Sequence, residues 1–227
     1  MRGALWKVPC KNRRRAKWRT HLRCNPVSSL AISGILIASL AGSFITAAFG
    51  IGGGILLLSV LATLLPPAAV IPVHGIVQMG SNLGRLIVFR KFLDRRAILP
   101  FAAGSLIGVA MGGVLVVEFD PALMQLTLGG FILWSLFGTP PAFFRRSALL
   151  TGVFSSFLTM FVGGTGPFVA TFIKGIGLHR MAHIAKHAAF MTIQHLVKTL
   201  VFGLLGFAFS TWALLIAGMI MAGLLGT

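Results

Sequence analysis

The groups in this chain best suited to chemistry belong to the backbone. Two glycine-rich breaks, Phe49-Gly50-Ile51-Gly52-Gly53-Gly54-Ile55 and Phe161-Val162-Gly163-Gly164-Thr165-Gly166-Pro167, each interrupt an apolar run. A helix broken inside a membrane leaves free N–H groups at the start of its next piece, and those donors with the helix dipole attract an anion. Glycine permits the tight turn and lets backbone approach a ligand. Gly52, Gly53 and Gly54, with Gly163, Gly164, Thr165 and Gly166, are therefore candidate binding residues for a small oxyanion. The same glycines could serve only to let helices pack closely. Their occurrence as a pair, each followed by a short apolar run and a turn, favours the binding site.

Cationic and polar side chains extend the candidate set. Lys198 lies near the middle of a helix expected over 188–208, where a charged side chain costs at least about 2.5 to 3.5 kcal/mol on insertion scales, so it should face the interior or a watery path. His195 shares its helix face and Gln194 is one position round. Asn82 and Arg85 repeat the spacing of His195 and Lys198, although Arg85 is nearer a helix end and could snorkel to the interface. His74 and His187 recur at the mouths of matching helices, where a loop carbonyl could satisfy either one. The acids Asp94, Glu118 and Asp120 all fall in expected loops, which argues against a cation pump and leaves proton coupling to histidine or to the substrate's own ionisation.

Two other classes of function compete. His179, His183 and His187 are spaced to present three imidazoles on one helix face, as an intramembrane His-ligated metalloenzyme would require. No carboxylate accompanies them, and Arg180 and Lys186 would repel a divalent cation. A non-transporting basic membrane scaffold is the remaining alternative. The preferred reading is a transporter that is not an enzyme and uses no cofactor or metal.

The elements that position these groups are helices in a bilayer. With 56% hydrophobic and 10% charged residues and a mean hydropathy of +0.94, the chain cannot cover itself with the polar surface that water demands. Period-2 alternation is absent, so an all-α integral membrane protein is expected. The apolar stretches predict helices over 28–49, 51–65, 73–89, 97–117, 122–137, 147–162, 167–177, 188–208 and 211–225, with a His-rich connector at 178–187.

Order and spacing divide them into two repeated modules of transmembrane helices. Phe49, Gly52 and Gly54 correspond to Phe161, Gly164 and Gly166; His74, Asn82, Arg85 and Phe89 correspond to His187, His195, Lys198 and Phe202. The expected organisation is a basic tail at 1–27, a first repeat at 28–138, a linker at 139–147 and a second, shortened repeat at 148–227. Each repeat carries a Gly-broken re-entrant or half-spanning hairpin.

Charge sets the expected topology. Nine of the 20 Lys and Arg fall within the first 23 residues, a density that suits a cytoplasmic tail beside anionic lipid and argues against a nucleic-acid partner. If 51–65 only half-spans, the basic loop 90–96 is also cytoplasmic, as the positive-inside rule requires. An extracellular N-terminus with full crossings places the loops identically but puts the basic tail outside. Cys10 and Cys24, both in the tail, would remain thiols in a reducing compartment.

The stretch AGSFITAAFGIGGGILLLSVLATLLPP, the later FVGGTGPFVATFIKGIGL and the Lys198-bearing helix resemble the signature segments of the TauE/SafE family of sulfite and organosulfonate exporters. The likeness runs from about residue 30 to residue 227. It implies a multi-pass transporter of the cell inner membrane whose substrate is a small anion of the sulfite, sulfonate or thiosulfate class. In that family the second repeat usually closes with a further helix. Gly218, Ala222 and Gly226, small residues at every fourth position, are accordingly expected to seek a neighbour, such as a second copy in a homo-oligomer.

Overall fold

The computed structural model describes residues 28–117, 120–138 and 147–227; the basic tail, Glu118, Arg145 and Arg146 lie outside the described residues. Among those described are nine α-helices: α1 (Ser29–Phe49), α2 (Gly53–Leu64), α3 (Pro67–Phe89), α4 (Ile98–Val116), α5 (Pro121–Phe137), α6 (Ala148–Val162), α7 (Gly166–Ile176), α8 (Arg180–Leu204) and α9 (Ala213–Leu225).

Local sequence explains the boundaries. The Ser28 side chain accepts the Ala31 N–H to start α1, the Ser147 side chain accepts that of Leu150 to start α6, and Asp120 does the same for α5 with Pro121 behind it. Pro66 and Pro67 close α2 as expected. Pro67 also opens α3, six residues ahead of the expected start at 73, because its fixed φ suits the first helical position. The expected connector 178–187 is mostly helix. From His179 to Ala189 there is no glycine or proline, and four alanines favour the helix, so α8 begins at Arg180.

Polarity is inverted relative to a water-soluble protein. Lys198 and Gln194 are 0% exposed, His74 is 1%, and Asn82 and Arg85 are 2%, whereas Phe49 is 78%, Leu99 81% and Phe137 87% exposed. Polar side chains inside and large apolar ones outside are what hydrocarbon selects. By length and composition, α1 and α4 can each cross a membrane, and α8 with α9 can form a third span bent by 118°. At 1.5 Å per residue α2 reaches only about 18 Å, short of the roughly 30 Å core.

Small residues decide the packing. Gly104 and Gly108 of α4 press on backbone of α6, and Gly152 of α6 presses back on α4, so closely that a Cβ at any of the three would strike a carbonyl oxygen. Helix α9 lies on α1 and α3. Gly226 abuts the Leu40 carbonyl, and a Cβ at Gly218 would come within 3.2 Å of the Leu36 side chain. The small-residue face expected to seek a partner copy is therefore covered by α1 of the same chain. That contact joins the ends of the chain and has no signal in local sequence.

Candidate functional site

The first break begins where α1 ends. Gly50, at φ 86°, donates its N–H to the Thr46 carbonyl at 2.8 Å, and Gly52, at φ 106°, precedes α2. Both angles belong to the region that glycine alone adopts readily. Thr46 Oγ1 accepts the Gly53 N–H at 3.1 Å and donates to the Gly42 carbonyl at 3.0 Å, so one hydroxyl ties the start of α2 to α1. Gly42 and Gly53 meet backbone to backbone.

The second break has the same construction. Gly163, at φ 78°, donates to the Thr159 carbonyl at 3.1 Å, and its own carbonyl accepts from Thr159 Oγ1 at 2.9 Å and from Lys198 Nζ at 3.0 Å. Thr165 Oγ1 donates to the Ser155 carbonyl at 2.9 Å and accepts from Gln194 Nε2 at 2.6 Å. Gln194 Oε1 in turn accepts from Ser155 Oγ at 3.1 Å.

Helices α3 and α8 close the space between the breaks. His74 Nε2 donates to the Gly54 carbonyl at 2.9 Å, and His187 Nε2 donates to the Gly166 carbonyl at 3.4 Å. A carbonyl only accepts, so each contact places the proton on Nε2. The two corresponding histidines thus hold corresponding positions on the two short helices. The cavity between them is bounded by Gly52 and Gly54, by Gly164, Gly166 and Pro167, and by His74, Gln78, Asn82, His187 and His195. The N–H groups of Gly54 and Gly166, in the first turns of α2 and α7, have no partner among the described residues. They are the kind of donors that recognise an anion at a helix start.

Six of the twelve expected site residues, Gly52, Gly54, Gly164, Gly166, Asn82 and His195, border this cavity. The others stand behind its walls. Gly53 is packed against Gly42, Thr165 and Gln194 bind one another, and Gly163 and Lys198 form a contact that pins the second break. Arg85 points elsewhere, with Nη1 on Asn82 Oδ1 at 2.9 Å and Nη2 on Ser43 Oγ at 2.8 Å. The cavity also uses Thr46, Gln78, Met191 and the two carbonyl-bound histidines, which were not in the expected set. The matched spacing of His74 and His187 was the available signal for two of them.

Electrostatics favour an anion. Among the described residues the one ion pair is Lys186 to Asp94, at 2.7 Å. Lys198 and Arg85 are buried without a carboxylate partner among the described residues. The three histidines considered as metal ligands diverge: His179 meets Phe92 edge to face, His183 lies beside Gly50, and His187 binds the Gly166 carbonyl. No group of three or more His, Cys, Asp or Glu able to hold a metal occurs among the described residues.

The family model described as Sulfite exporter TauE/SafE matches residues 35–227. The chain belongs to the TauE/SafE family. The match takes in both breaks and the helices that close the cavity, and it identifies the chain as a membrane protein of a sulfite exporter family. No curated protein and no solved structure matches it.

Outside the spans, the TauE/SafE chain has a tie whose effect is measurable. The Lys186 ammonium bonds Asp94, and this hydrogen bond, with one from the Arg96 backbone, holds the Asp94 carboxyl below the usual carboxylate range. A depressed folded-state pKa adds stability that is fully present above the ordinary value near 4 and is lost as pH falls through the depressed value. Because Lys186 is buried, Asp94→Asn should cost about 2 kcal/mol at neutral pH and less below pH 4. Thermal melting of wild type and variant across that pH range checks this; equal losses at both ends would show that the tie does not stabilise the fold.

Proposed function

We propose that the chain moves a small sulfur oxyanion, of the sulfite, sulfonate or thiosulfate class, across the cell inner membrane. The observation that carries this reading is the single cavity bordered by both glycine breaks, with the free Gly54 and Gly166 N–H groups at its edge. An anion seated there meets the start of two short helices and lies near the buried Lys198. Each break with its short helix serves as a half-spanning hairpin, and the matched His74 and His187 contacts support two modules built alike. Lys198 supplies charge from behind the wall, and Asn82 and His195 supply polar contacts at the cavity. In this arrangement the basic tail lies on the cytoplasmic side.

The test is sulfite flux in proteoliposomes containing the purified chain, beside a Gly166→Leu variant. A Cβ at Gly166 meets His187 and Met191 at ordinary distances of 3.5 to 3.8 Å, so the longer side chain should fill the cavity while the helix survives. Flux should fall at least about tenfold, the loss of one good contact or more. Wild-type flux in the variant would remove the cavity from the transport path, and chloride flux without sulfite flux would overturn the substrate class.

A further inference from the structure

A second, smaller pocket lies on the far side of Gln78 from the first. It is lined by Ser39, Ser43, Ser81 and Arg85, with Gln78 and Thr46 shared between the two spaces. Its chemistry is one-sided. Arg85 is 2% exposed; its two terminal nitrogens are bonded to Asn82 and Ser43, but Nε is buried with no partner. Ser81 is 5% exposed and its hydroxyl makes no hydrogen bond among the described residues. The Gln78 amide nitrogen has none either, its Oε1 being taken by Asn82 at 3.1 Å.

Residues 78, 81 and 85 fall on one face of α3, and all three line the pocket. A water could accept from them, but it would leave the guanidinium charge uncompensated in a low-dielectric interior. No carboxylate reaches Arg85 among the described residues, since the one ion pair lies elsewhere. A cation is excluded by the same charge. Thr46, which also lines the pocket, has its hydroxyl committed to Gly42 and Gly53. What the pocket lacks is a compact acceptor bearing negative charge.

We propose that this pocket is a second anion station, separate from the cavity between the breaks, and that it takes a small monovalent anion such as a halide or hydrogen sulfite stripped of most of its water. The station stands whether or not the cavity between the breaks binds sulfite. Gln78 is the partition between the two spaces. A glycine at position 54 makes room for it, because a Cβ there would come within 3.3 Å of the Gln78 amide nitrogen.

Equilibrium dialysis of bromide, and separately of sulfite, against the purified full chain tests the station. In at least one of the two salts, wild type should bind two anions per chain, Arg85→Met one, and Gly166→Leu one. Two anions retained by Arg85→Met in both salts would overturn the station, as would a single wild-type anion that Arg85→Met leaves in place. A single wild-type anion lost in Arg85→Met but kept in Gly166→Leu would instead support the station, and that result in sulfite would remove the cavity between the breaks from the proposed function. The salt in which the second anion appears distinguishes a resident halide from the transported species. Should Arg85→Met fail to fold, Ser81→Ala decides: it disturbs no existing hydrogen bond, and it should weaken the second anion about tenfold, the loss of one donor to a charged acceptor. Unchanged affinity would then reject the proposal.

Discussion

Replacing Lys198 with methionine is expected to weaken sulfite binding about ten- to a hundredfold while leaving the chain folded. The ammonium lies behind the second break, with Nζ donating to Thr159 Oγ1 at 3.2 Å and to the Gly163 carbonyl at 3.0 Å. Its charge is buried and unpaired among the described residues, so removing it relieves a cost of at least about 2.5 kcal/mol on insertion scales. Thr159 still bonds the Gly163 carbonyl, which keeps the turn pinned. Methionine also keeps most of the apolar stem that packs on Gly75. Stability should therefore hold or rise, while the anion loses about 1.5 to 3 kcal/mol of charge-assisted attraction. Arginine should rescue only in part, because its planar fork does not fit the space of an ammonium. Sulfite affinity and melting temperature, measured at one pH and salt, test both halves; unchanged affinity would leave Lys198 with the turn alone.

The largest stability loss is expected from Gly53→Ala. Its Cβ would land on the Gly42 carbonyl and against Thr46 Oγ1, and the first of these is backbone that no rotamer change can clear. Overpacking of this kind costs about 3 kcal/mol or more. The hairpin of α1 and α2 should open, and the melting temperature in detergent should fall steeply. Gly166→Ala is the control, since its nearest contact is His187 Nε2 at 3.5 Å, and it should melt like wild type. Equal melting of Gly53→Ala and wild type would mean that the two glycines do not touch. Gly53 and Gly166 look interchangeable in sequence, yet one closes a hairpin and the other borders a cavity.

That contrast marks what could be read without coordinates. Apolar length and glycine punctuation located α1, α2, α4, α5, α6 and α7 to within about two residues, because breaks and caps are local events. Residues of both breaks border one cavity. The start of α8 lies inside the expected connector 178–187, because Lys186 is buried and paired with Asp94, 92 positions earlier, a contact with no local signal. Lys198 was expected at the substrate and stands behind the wall, since side-chain direction toward Gly163 depends on how α6 and α8 pack. The separate pocket at Arg85 was equally hidden, being assembled from α1, α2 and α3.

The arrangement in which α9 lies on α1 governs the order of assembly. Ser39 Oγ on α1 donates to the Met219 carbonyl at 2.7 Å, across 180 positions of chain, and Ser43 Oγ meets Thr227 Oγ1 at 2.9 Å across 184. Those partners are synthesised long after α1. Each helix can enter the bilayer as it emerges from the ribosome, but the polar face of α1 must wait, facing lipid or a temporary partner, until α9 has been made. Closing so long a loop is entropically unfavourable and slow compared with forming any one hairpin. A ribosome that stalls before α9 therefore leaves an inserted chain with Ser39 and Ser43 uncovered, a species for membrane quality control to remove.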